Sequence, residues 1–170
     1  MNLKDSYKII FSDLDDTLIE TISGETFPKG VWDMRIKFDI LDKIKQFNPS
    51  YLFIVTNQGG IGKFVDKERF ETKVSYIAGS IKEYTKIKNV DWTYCSSTNK
   101  DDPDRKPNTG MFKTITLSNH LFLNKDFTLN DCLMIGDASG KPGDFSDSDK
   151  KFAENLKIDY VDVDDLLGNI

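Results

Sequence analysis

The sequence predicts an α/β fold, a doubly wound parallel sheet with helices on both faces and no large cap domain. Three features of the 170 residues carry that expectation. Short apolar runs alternate with stretches of helical periodicity, the pattern of parallel strands joined by crossover helices. The stronger apolar runs end in polar clusters, and ligands in such sheets bind beyond the carboxyl ends of the strands. No repeat, linker or low-complexity segment divides the chain, so residues 1–170 read as a single domain.

Taken in order, Lys8 to Leu14, with Ile9, Ile10 and Phe11, reads as a short buried strand ending in acids. Residues 18–37 are irregular, a flap rather than a lid. Ile40, Leu41, Ile44 and Phe47 give a short amphipathic helix stopped by Asn48-Pro49. Tyr51 to Thr56 is the second strand, ended by Asn57-Gln58-Gly59-Gly60. The strongest helix follows Asp66, a candidate N-cap, with Phe70, Val74, Ile77, Ile81 and Tyr84 at spacings of 4, 3, 4 and 3. Val90 to Cys95 alternates as a third strand. A helix begins near Pro107 with Met111, Phe112 and Ile115 inward. Cys132 to Ile135 is the fourth strand, a helix runs from about Ser146 to Leu156, and Tyr160-Val161 is a short fifth strand. Trp32 and Trp92 read as packing residues, Trp32 with the option of stacking on a base.

Composition narrows the class. With 38% apolar and 30% charged residues the chain is an ordinary globular protein. It has no apolar run approaching the roughly 18 residues of a membrane span, and its N-terminus lacks a signal peptide. Cys95 and Cys132 have no metal-ligand spacing and read as buried thiols of an intracellular protein. The net charge of −5 argues against a strongly basic nucleic-acid surface. Four of the acids, Asp159, Asp162, Asp164 and Asp165, nevertheless crowd into the last twelve residues, so a local basic groove elsewhere stays open.

The polar clusters suggest phosphate chemistry. Asp13 and Asp15 lie two apart at the end of a buried strand and in extended geometry point the same way. Converging carboxylates need a cation, and a hard divalent ion such as Mg²⁺ suits oxygen ligands of this kind. Asp137, after Gly136, adds a third carboxylate from another strand end. Lys106, within Arg105-Lys106-Pro107, offers a point charge to a phosphate, and Thr56 offers a hydroxyl and a backbone N–H. Each of these alone is an ordinary turn or surface residue. Their occurrence together at four successive element ends is what favours a site.

On these residues the chain resembles the haloacid dehalogenase-type phosphatase superfamily, whose Asp-x-Asp-x-Thr motif, Thr, Lys and late Asp match Asp13-Leu14-Asp15-Asp16-Thr17, Thr56, Lys106 and Asp137. Within it the chain is similar to the 3′-phosphatase domain of polynucleotide kinase/phosphatase. The stretches that carry this are Thr21-Ile22-Ser23-Gly24 with Phe27-Pro28, Trp32-Asp33-Met34-Arg35, Val55 to Lys63, Gly136 to Pro142 and Asp144-Phe145-Ser146. The resemblance implies a Mg²⁺-dependent polynucleotide 3′-phosphatase acting in DNA repair. Asp13 would be the nucleophile and Asp15 the general acid and base. Asp13, Asp15 and Asp137 would hold the metal. Thr56, Asn57, Arg35, Lys63 and Lys106 would bind phosphate or strand, with Asp144 and Asp149 as supports of the metal. For Asp149 a second reading stands beside this one, since Ser146-Asp147-Ser148-Asp149 has the form of a capping box.

The implied partners are DNA 3′-phosphate ends, single-stranded or frayed, with a separate kinase or ligase, no membrane, and a monomeric enzyme. Gly59-Gly60-Ile61-Gly62-Lys63 is followed by Phe64, so the chain lacks the kinase's phosphate-binding loop. Two rival readings remain: a small-molecule phosphatase of the same superfamily, for histidinol phosphate or sugar bisphosphates, and a catalytically inert DNA-end-binding module.

Overall fold

The computed structural model describes residues 2–168. Along the chain run β1 (Ile9–Ser12), β2 (Ile19–Thr21), β3 (Met34–Ile36), α1 (Phe38–Gln46), β4 (Tyr51–Asn57), α2 (Lys67–Thr85) and β5 (Asn89–Cys95). They are followed by α3 (Gly110–Ser118), β6 (Cys132–Gly136), α4 (Ser148–Leu156), β7 (Asp159–Asp162) and α5 (Val163–Gly168). Short 3₁₀ turns lie at Val31–Asp33 and Leu129–Asp131.

Five strands form one parallel sheet in the order β5-β4-β1-β6-β7. The chain builds outward from β1 to β4 and β5, then returns to β1's other side for β6 and β7. The strand order therefore reverses at β1, and the crevice for a ligand opens beyond Ser12, between the ends of β4 and β6.

Strand alternation divides the core into two layers. Ile10, Leu52, Ile54, Leu133 and Ile135 face α1, α2 and α5 through Ile40, Leu41, Ile44, Phe70, Val74, Ile77 and Leu166. Ile9, Phe11, Phe53, Val55, Cys132 and Met134 face α3 and α4 through Met111, Phe112, Ile115, Phe152 and Ala153. Because helices cover both faces, β1, β4 and β6 are apolar at nearly every position, which is why they stand out as continuous runs. The thiols of Cys95 and Cys132 are free and buried. No helix among the described residues is long and apolar enough to cross a membrane.

Two expectations change. The first strand does not reach Leu14. It ends at Ser12, and the chain coils so that the Leu14 carbonyl accepts from the N–H groups of Thr17, Leu18 and Ile19, with Asp16 in the left-handed region at φ 58°. The flap is not wholly irregular, for β2 and β3 pair as an antiparallel ribbon. Its connecting loop is organised by the buried Asp33, which accepts from the Ser23 N–H and hydroxyl and from the Lys29 N–H. The acidic tail is built into the fold: Asp159 accepts from Tyr7 Oη at 2.6 Å, and Asp162 and Asp165 pair with Lys141 at 3.2 and 3.0 Å. Asp66 caps α2 as expected, accepting from the Arg69 N–H at 3.1 Å.

Trp92 does pack, stacked on Tyr94 with ring centroids 6.0 Å apart. Trp32 does not, being 71% exposed on the flap.

Phe53 sits at the centre of the second layer, its ring 5.7 Å from that of Phe11 and 5.6 Å from that of Tyr51. Phe53→Ala leaves a cavity in a sealed core and is expected to cost about 3–5 kcal/mol. Urea unfolding should show a lower midpoint with an unchanged slope; an unaltered midpoint would mean the layer collapses around the gap.

Candidate active site

The site grows out of the three strand ends nearest the reversal point. Beyond β1, Asp13 continues the ladder by donating its N–H to the Ile135 carbonyl at 3.0 Å, so its carboxyl group stands at the mouth of the crevice. The coil after it then turns Asp15 inward. Thr56 and Asn57 come from the end of β4, and Asp137 follows β6 directly.

Lys106 joins these ends. Its ammonium donates to Asp13 Oδ1 at 2.9 Å and to Asp149 Oδ1 at 2.7 Å, with its side chain only 2% exposed. Burial works against its charge, but Asp13 and Asp149 outweigh that and hold its pKa above the ordinary lysine value. Its backbone is clamped as well. The Asn57 side chain donates to the Lys106 carbonyl at 3.0 Å and accepts from its N–H at 2.9 Å. One N–H and the oxygen of the Asn57 amide thus position the lysine backbone.

Asp149 is 1% exposed and presses against the backbone of Gly136, where an added Cβ would stand 2.4 Å from Asp149 Oδ2. That second oxygen accepts from the Ala138 N–H at 3.1 Å. Its carboxylate is therefore spent on Lys106 and the loop after β6. It caps no helix: Asp147 occupies the N-cap of α4 without a side-chain cap. The pKa of Asp149 is raised by burial and by Asp13, against the pull of Lys106. With the ammonium 2.7 Å away, the contact itself is a charge-assisted hydrogen bond.

Asp13, Asp137 and Asp149 each offer a carboxylate oxygen, and these oxygens lie within 4.8 Å of one another. Asp137 accepts from Thr17 Oγ1 at 3.2 Å, and burial first, then Asp13 and Asp149, push its pKa well up. Gathered carboxylates of this kind are the donor set of a hard divalent cation. Asp13 and Asp137 are each bonded through Oδ1, whereas both oxygens of Asp149 are engaged.

Asp15 is 9% exposed. Its Oδ2 accepts from Gln58 Nε2 at 2.8 Å, and the same nitrogen donates to Thr56 Oγ1 at 2.9 Å. Its Oδ1 is buried and has no partner. Burial, then the charge of Asp13, push its pKa up to about 6, while Gln58 and Lys73 pull it down.

The remaining candidates lie apart from this cluster. Arg35, on β3, is paired with Glu20 across the flap ribbon at 3.0 Å and is largely exposed. Lys63 is exposed on the loop after β4. Asp144 closes the loop after β6, accepting from the N–H groups of Ser139 and Lys141 at 3.1 and 2.9 Å. Two residues were not singled out from the sequence. Gln58 was hidden by its reading as a turn. Lys73 falls on the buried stripe of α2, three residues after Phe70, and a lysine at a core-facing position was the available signal.

Residues 8–166 match the family model described as polynucleotide kinase 3 phosphatase. A bifunctional polynucleotide phosphatase/kinase of Schizosaccharomyces pombe is 33% identical over 162 residues, covering 93% of this chain and 37% of that protein. The chain thus spans little more than a third of that relative's length. An uncharacterised 20.8 kDa protein of Autographa californica nuclear polyhedrosis virus is 32% identical, covering 90% of this chain and 81% of that one. Among solved structures, a D,D-heptose 1,7-bisphosphate phosphatase from B. bronchiseptica, complexed with magnesium and phosphate, superposes with a TM-score of 0.64. It is 18% identical and the match covers 90% of this chain and 78% of that one.

Lys106→Met leaves Asp149 buried without its cation, and breaking such a pair is expected to cost about 3–5 kcal/mol at neutral pH. The uncompensated carboxyl group then has a folded pKa far above its unfolded value. Its penalty grows as pH rises above the unfolded value near 4 and vanishes below it. Urea unfolding of the variant at pH 7 and pH 4 should therefore show the gap to wild type narrowing in acid. A gap independent of pH would contradict the ion-pair account.

Proposed function

The chain belongs to the polynucleotide kinase 3 phosphatase family, and from that footing we propose that it is a Mg²⁺-dependent 3′-phosphatase acting on DNA ends through an aspartyl-phosphate on Asp13. One observation carries the reading: Asp13, Asp137, Lys106 and Asp149 converge at the reversal of the sheet, beside a buried Asp15 oxygen that has no partner. The superposition on a phosphatase solved with magnesium and phosphate agrees with the fold this requires.

In this reading an oxygen of Asp13 attacks the phosphorus, the bond to the 3′-oxygen breaks, and Asp15 delivers its proton to that oxygen. A carboxyl group pushed up to about 6 keeps its proton for part of the time near neutrality, the state an acid needs. In the second step Asp15, now ionised, takes a proton from water as the water attacks the phosphorus. Inorganic phosphate leaves and Asp13 is restored. Lys106 aims Asp13 and meets the charge on the transferring oxygens, while Asp149 and Asn57 hold the lysine in place. Gln58 orients Asp15 and Thr56 together. Asp13, Asp137 and the Asp15 carbonyl would hold Mg²⁺, which when bound would supply neutralisation of the phosphate's charge.

The product is a 3′-hydroxyl, the end that polymerases and ligases extend, which fits a role in DNA end repair. The absence of a cap over the described residues leaves the crevice open to a polymer end, where a small metabolite ordinarily needs a lid.

Release of phosphate from a 3′-phosphorylated oligonucleotide is the direct test, run against the 5′-phosphorylated strand, histidinol phosphate and a sugar bisphosphate. Turnover should be confined to the 3′ end, vanish with EDTA and return with Mg²⁺. Asp13→Asn should lose at least about 10³-fold in kcat. Turnover of a metabolite alone would keep the chemistry and overturn the substrate. Binding of the strand without any turnover would overturn the enzyme.

A further inference from the structure

Lys73 is 8% exposed, yet no carboxylate among the described residues pairs with it. Lysines buried to this degree ordinarily pair with a carboxylate. Among the described residues none lies within 4.0 Å of this ammonium, and its one close partner is the Phe70 ring, 5.4 Å from Nζ to the centroid. Burial lowers its pKa and the charge of Asp15 raises it, so the two groups lie within one another's field without touching.

Asp15 has the complementary defect, a buried Oδ1 with nothing bonded to it. That oxygen is the one fully buried side-chain polar atom without a partner among the described residues. The Lys73 nitrogen, which has no hydrogen-bond partner among the described residues and is not such an atom, therefore still reaches solvent. It does so from the second turn of α2, a helix that starts at the carboxyl edge of the sheet, directly after the loop leaving β4. Helical side chains lean toward the N-terminus, which directs Lys73 back to that edge.

In the proposed mechanism Asp13 and Lys106, 2.9 Å apart, face the transferring phosphoryl group. As the proposed acid Asp15 serves the departing oxygen, so an ammonium within the field of Asp15 lies toward whatever the leaving alcohol carries. We propose that Lys73 binds a second anion on that alcohol, the internucleotide phosphodiester attached to the 5′-oxygen of the 3′-terminal sugar. This rests on the 3′-phosphatase reading and deepens it: Lys73 is the residue that distinguishes the end of a strand from a nucleoside 3′-monophosphate. The ion pair forms only when a polynucleotide enters, which accounts for a buried lysine kept without a carboxylate.

The experiment uses two short 3′-phosphorylated oligonucleotides that differ only in the last linkage, a phosphodiester in one and an uncharged methylphosphonate in the other. Wild type should show a kcat/KM about 10- to 100-fold lower on the methylphosphonate, the worth of one charge-assisted contact. Lys73→Met should lose the same factor on the phosphodiester and almost nothing on the methylphosphonate, and Lys73→Arg should restore most of the difference. Equal loss on both strands would mean that Lys73 acts only on Asp15 or on packing, and would overturn the proposal. Equal rates of wild type on the two strands would overturn it even if the methionine variant did not fold. If neither strand is turned over at all, the 3′-phosphatase reading fails first.

Discussion

The site depends on a single buried ammonium. Lys106 lies between Asp13 and Asp149 with almost no access to water, so its charge must be met by both carboxylates at once. That requirement reaches outward. Asn57 must hold the lysine's backbone, and residue 136 must be glycine for Asp149 to lie against it. The loop after β6 must turn its Ala138 N–H to the second oxygen of Asp149. Four segments far apart in the chain are thereby fixed to one another at the reversal of the sheet. This constraint decides the geometry of the crevice, because no member can shift without leaving a charge unpaired.

Around that pair the polar groups divide into satisfied and unsatisfied. Asn57, Asp144 and Asp149 have their hydrogen bonds filled by the protein and serve as framework. Asp13 and Asp137 are paired in part and crowded by like charge. Among the described residues Asp15 Oδ1 has no hydrogen-bond partner, and the Lys73 ammonium has only the Phe70 ring and no carboxylate. Buried polar groups are costly to leave unmet, so unmet ones at the carboxyl edge mark where a ligand completes the structure. The incomplete Asp15 follows β1 and Lys73 lies on α2, while the framework comes from the end of β4, the loop after β6 and α4.

The order of strands and helices was legible because β1, β4 and β6 are covered on both faces and therefore read as unbroken apolar runs. The helix α2 was legible in its apolar spacing and its Asp66 cap. The flap ribbon and α5 were not. The three-residue strands β2 and β3 carry too few positions for a period to show, and the acids of the last segment look like a solvated tail until Tyr7 and Lys141 are brought beside them.

By itself the sequence determined the fold class, the family resemblance, and that Asp13, Asp15, Thr56, Lys106 and Asp137 stand at element ends, since these follow from local periodicity and motif. Only the tertiary structure decided which polar groups are already spent. It made Asn57 a clamp on the Lys106 backbone and, of the two readings of Asp149, set the carboxylate against Lys106 and left it capping no helix. It placed Arg35 against Glu20, and left Lys73 buried with no carboxylate. The reason is physical: a hydrogen bond or ion pair between residues some forty positions apart is a property of the packed sheet, and no local pattern records whether a donor has found its acceptor.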